Sequence, residues 1–206
     1  LHPRVRRQRQ MCIRDSPWDA RNDYIDLILD RSLDAQHKFF LKHATEKAWN
    51  DRPTALMLLE MQRNAMLMYT SCGWFFDEIS GIETVQIMQY AARAIELNRV
   101  ITGVDLEPGF MEALALAPSN LKDLKNGAAV YERYVKPQAM PIEKIALEHV
   151  VSLLADETVN PKKAYECEVL AYEPKKLTAP GFHLSYGDIT LKSVTTLLER
   201  RMHFAV

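Results

Sequence analysis

The sequence predicts an α+β protein with its helices first. A helical bundle is expected over residues 17–158, followed by the beginning of an antiparallel β-rich domain over 159–206. Three observations predict this. Apolar residues recur at helical spacing through the first ~140 residues after position 16. Asn160-Pro161 then breaks the pattern, and the period changes to two. Apolar residues make up 48% of the chain, enough for a core and too many for disorder.

The elements follow in order. Asp19 can cap a first helix through Tyr24, Ile25, Leu27, Ile28 and Leu29. Ser32 can cap a second, with Phe39, Phe40 and Leu41 inward. Asp51 followed by Pro53 has the order that opens a helix, here about 53–69. That helix is apolar on nearly every face and should be central. Its polar residues Glu60, Arg63 and Asn64 share one face, as a structural ion pair or as the polar wall of a cleft. Ser80-Gly81-Ile82-Glu83 matches a capping box ahead of a fourth helix carrying Val85, Ile87, Met88, Tyr90, Ala91 and Ala92. Further helices are expected at 108–116, 127–135 and 141–154. Tyr165, Cys167, Val169 and Ala171 alternate as in a strand. Phe182, Leu184 and Tyr186 begin another that continues past Gly187-Asp188, and a third starts at Arg200. The domain boundary is expected near 156–162.

The segment Arg6–Ser16, RRQRQMCIRDS, resembles the in-frame translation of a transposon-type sequencing adapter over ten consecutive residues. Residues 1–16 are therefore set apart from the fold as a non-native tail. Five arginines and one aspartate give them a charge of +4, so a whole-chain charge of −1 leaves −5 on residues 17–206. A mildly acidic remainder has no basic patch suited to phosphate backbones, so nucleic acid is not an expected partner. The chain stops at Val206 inside a strand-like run, and the reading is a fragment of a longer protein. Cys72 and Cys167 show no disulfide spacing, which fits a reducing, cytoplasmic compartment. No apolar run reaches the ~20 residues of a membrane span, so no membrane partner is expected.

The segment TSCGWFFDEISGIETVQ (70–86) carries the strongest functional signal. A connection between helices is ordinarily polar. This one holds Trp74, Phe75 and Phe76 beside Asp77 and Glu78. The aromatics either plug the helical core or face a ligand. Gly73 before the indole permits a backbone bend toward a cleft. Flat apolar rings next to carboxylates suit a carbohydrate, whose ring stacks while its hydroxyls donate. The candidate substrate-binding residues are Trp74, Phe75, Asp77 and Glu78.

Other chemistry has little support. The histidines His37, His43, His149, His183 and His203 show no metal-ligand spacing, and no metal or other cofactor is expected. Seven glycines form no phosphate loop. Cys72 sits in the aromatic loop, and a lone cysteine is expected to be a buried small hydrophobe rather than a nucleophile. A glycosidase needs two carboxylates at a set separation, and none here can be paired from sequence. No catalytic residue is assigned.

Three stretches carry a family resemblance: PWDARNDYIDLILDRS (17–32), LLEMQRNAMLMYTSCGWFFDEISGIETVQIMQYAARAIEL (58–97) and YERYVKP (131–137). They resemble the C-terminal region of bacterial proteins related to glycoside hydrolase family 57, the region known as domain of unknown function 3536. The resemblance implies a β/α barrel ahead of this region, carrying a Glu nucleophile and an Asp acid/base outside these residues. It implies retaining chemistry on α-glucans, and a helical bundle that lends aromatics to the rim of the site. Ser71–Phe76 resembles that aromatic region, although Gly73 stands where well-studied members place an acid. The expected partners are an α-glucan or oligosaccharide and the N-terminal catalytic barrel. The rival reading is a helical structural or protein-interaction domain without catalysis.

Overall fold

The computed structural model describes residues 16–156 and 158–206. The adapter-like segment lies outside the described residues, except for Ser16. The chain divides into two compact units, one up to Ala139 and one over Met140–Val206. The division falls before the change of period near 156–162, so the last helix is counted with the strands.

The first unit is helical. Helix α1 (Pro17–Leu29) starts one turn earlier than expected, because Ser16 accepts from the Asp19 amide and Pro17 fills the first position. Asp19 is not the cap. It lies in the first turn, where a carboxylate meets the positive helix end. Helices α2 (Leu33–His43) and α4 (Arg52–Leu67) are capped by Ser32 and Asp51, each accepting from an amide three residues on. Between them the short helix α3 (Glu46–Asn50), capped by Thr45, has too few residues to show a period. Tyr24, Leu27, Phe39, Phe40, Leu56 and Met61 are buried in this part of the unit. Leu41, expected inward, is exposed.

Helix α5 (Ile82–Thr102) packs along α4. Its Val85 and Met88 join Leu124, Val130, Tyr131 and Val135 in a second core cluster. Those partners come from the turns after α6 (Glu107–Ala115) and from α7 (Gly127–Val130), which widens into a π turn at Tyr131–Val135.

Of the two readings of the polar face on α4, the structural ion pair holds, as an interior cluster. Glu60 is buried and accepts from the Tyr24 hydroxyl (2.5 Å), Arg31 (2.9 Å) and Arg63 (3.2 Å), while Asn64 donates to its backbone carbonyl (2.8 Å).

The second unit packs helix α8 (Ile142–Ala155) on an antiparallel sheet of order β1-β2-β3-β4. The strands are β1 (Lys163–Ala164), β2 (Cys167–Ala179), β3 (Phe182–Ser193) and β4 (Glu199–Ala205). Ile145, Ala146 and Val150 of the helix meet Ala164, Cys167, Ile189 and Leu191. Tyr165, expected inside a strand, sits at the turn between β1 and β2 with φ 51°. Strand β2 runs on to Ala179, beyond the alternating residues that announced it. Among the described residues nothing pairs with its outer edge past Val169, where Pro174, Lys175 and Lys176 follow. Proline and lysines are how exposed edges avoid adding strands.

Candidate functional site

The aromatic loop is built between the end of α4 and the start of α5. The Thr70 hydroxyl closes the end of α4 onto the Leu67 carbonyl (2.9 Å). A single 3-10 turn, Ser71–Trp74, follows. Gly73 is buried there, and its role is close approach rather than an unusual backbone angle. A Cβ at this position would lie 2.7 Å from Ile87 Cγ2 and 2.8 Å from Cγ1. The backbone of the turn therefore lies directly on α5, where the Thr84 hydroxyl donates to the Gly73 carbonyl (2.8 Å).

With Gly73 pinned inward, the next side chains point out. Trp74 is 72% exposed, Phe75 76% and Phe76 56%. Phe75 and Phe76 meet edge to face at 5.2 Å. The core-plug alternative thus fails for all three rings. Asp77 is exposed beside them, and so is the free thiol of Cys72, which is not the buried hydrophobe expected of a lone cysteine because the turn carries it outward.

Glu78 behaves differently from Asp77. Its carboxylate accepts from the Ser80 amide (2.9 Å), the Ser119 hydroxyl (2.8 Å) and the Asn120 amide (2.7 Å). The Asn120 side chain also donates to the Asp77 carbonyl (2.5 Å). Glu78 thus clasps the aromatic loop to the loop after α6. The capping box expected at Ser80 and Glu83 does not form. Gly81 takes the cap position of α5 without a side-chain bond, because Glu78 has already engaged the Ser80 amide. Ile87, Thr84, Ser119 and Asn120 were missed by sequence reasoning. The only local signal was turn chemistry around Pro118-Ser119-Asn120.

The donated bonds, that of the Ser119 hydroxyl foremost, hold the Glu78 carboxyl down to about 2 from its ordinary 4.5. A lowered pKa means the clasp contributes fully above the ordinary value and is lost as pH falls through the lowered one. The amide resonances of Ser80 and Asn120 should hold their positions down to about pH 4 and move with a midpoint near 2. A midpoint near 4.5 would show that the carboxylate is not clasped in solution.

No group of three or more His, Cys, Asp or Glu among the described residues is placed to hold a metal ion. No described helix is long and apolar enough to cross a membrane.

These features define an α+β protein, helices first, that presents a braced aromatic loop to solvent. The chain belongs to the family described as a domain of unknown function, DUF3536, whose family model matches residues 1–206. No curated protein matches the chain, and no solved structure does.

Proposed function

We propose that this domain binds carbohydrate through the aromatic loop, as the substrate rim of a glycoside hydrolase family 57-like enzyme acting on α-glucans. The observation that carries the reading is the exposure of three consecutive aromatics on a loop whose backbone is pinned on both sides. Large apolar side chains left in water on a rigid support cost little further ordering when a ligand arrives. Trp74 and Phe75 supply the stacking faces, and Asp77 accepts from hydroxyls. Glu78 acts one step back, holding the loop in place. The bond-breaking carboxylates belong to a barrel outside these residues, in keeping with the family resemblance.

Maltooligosaccharide titration tests this. The indole resonance of Trp74 should shift on addition of sugar, with those of Trp18 and Trp49 as internal controls. Trp74→Ala should weaken binding about fivefold or more, the worth of one aromatic contact. Unchanged indole resonances at saturating sugar would sink the reading. The 206-residue chain alone should release no reducing sugar from starch or glycogen. Release of sugar would place the catalytic pair within it.

Tyr69 and Ile82, at either end of the loop, are also exposed. This favours protein docking as the second reading, and an apolar partner would then replace sugar in the same titration.

A further inference from the structure

We propose that Asn120, on the loop after α6, is a second-wall residue of this site that reads sugar hydroxyls and fixes the orientation of a ring lying on the aromatics. The proposal rests on the sugar-binding reading of the loop.

The loop carrying Asn120 is closed on itself. Pro118 and Asn126 form a bridge, the Ser119 amide donates to the Lys125 carbonyl (3.0 Å), and the Gly127 amide donates to the Ala117 carbonyl (2.9 Å). Asn120 is fixed again from the aromatic side. Its backbone amide donates to Glu78 Oε2 (2.7 Å) and its Nδ2 donates to the Asp77 carbonyl (2.5 Å). A carboxamide has two donor hydrogens and an oxygen with two lone pairs. The bond to Asp77 uses one hydrogen and restricts rotation of the group. Oδ1 must then lie on the branch away from Asp77, and it makes no hydrogen bond among the described residues.

The exposed Asn120 therefore offers one acceptor and one remaining donor on a side chain already held at one point. The exposed Asp77 carboxylate, next in sequence to Phe76, adds further acceptors. Neighbouring hydroxyls on a sugar ring can each donate or accept, so an in-plane donor and acceptor fit such a pair. An exposed asparagine ordinarily samples several rotamers. This one is held by a backbone and a side-chain hydrogen bond before any ligand arrives, which lowers the entropic cost of recognition.

The plainer role is that Asn120 only staples the two loops. Maltose and its monodeoxy analogues separate the two roles, with binding followed by resonance shifts on the intact chain. One analogue should bind the wild type about five- to tenfold more weakly than maltose, the worth of one hydrogen bond. In Asn120→Ala that analogue and maltose should bind alike. A staple would weaken all sugars together and leave their ratios intact, and that result overturns the proposal alone. Dependence on Trp74 would survive it. Absence of any sugar binding by the wild type would overturn both this proposal and the reading beneath it.

Discussion

Glu60→Ala is expected to lower the unfolding free energy of the helical unit by about 3–5 kcal/mol, the cost of breaking a buried ion pair from one side. Glu60 lies inside the unit and gathers Tyr24, Arg31 and Arg63 around one carboxylate. Burial alone would push its pKa up. The bonds from Tyr24 and Arg31, with the charges of Arg63 and Arg31, outweigh that and hold it below the ordinary value. Alanine would leave the Tyr24 hydroxyl and the guanidinium of Arg31 turned toward a space that no longer accepts from them. The lowered pKa also fixes the sign with acid. The stabilisation is complete above the ordinary carboxylate value and fades as pH falls through the lowered one. Denaturant unfolding followed by circular dichroism measures the loss. Glu60→Gln, which keeps an acceptor but not the charge, should cost less than alanine. A loss under about 1 kcal/mol for alanine would show that the cluster is solvated and ordinary.

Gly187→Ala is expected to be the most damaging small substitution in the second unit, at about 3 kcal/mol or more. Gly187 sits in β3 opposite Pro174, at φ 157°. An added Cβ would overlap the Glu173 carbonyl oxygen and lie 3.1 Å from the carbonyl carbon. The obstruction is backbone, so it cannot rotate aside as a side chain would. The β2–β3 ladder would have to open there, and proline opposite already supplies no amide to hold it. Hydrogen exchange of the β2 and β3 amides should rise on both sides of the site. Gly181→Ala is the control. It has φ 72° but nothing within 4 Å of a new Cβ, so only the backbone penalty of about 1–2 kcal/mol applies. Equal losses at the two positions would refute the steric account.

The fold class was legible because its signals are local. Ser32 and Asp51 cap their helices through side chains three residues from the amides they bind. The switch to period two after Asn160-Pro161 marks the strands for the same reason. Thr45 was overlooked, since α3 is too short to have an apolar face. At the candidate site the sequence showed the rings but not which way they face. Their exposure depends on Gly73 lying against Ile87 and on Glu78 reaching Asn120, 42 residues away. A capping box was the nearer pattern for Ser80 and Glu83. It lost because Glu78 is better placed to take the Ser80 amide. Contacts between distant loops leave no period in the chain, so Ser119 and Asn120 carried no mark of their role.

The contact between Gly73 and Ile87 also restricts how this family can vary. The side-chain atoms of Ile87 fill the space a residue at 73 would need. A larger residue at 73 therefore requires the Ile87 side chain to move or to be smaller. Gly73→Asp in this chain would need a smaller residue at 87, or the loop would stand off the helix. Gly73 in this chain is then half of a two-letter word whose other half is Ile87, and aligned relatives should spell it in only a few ways.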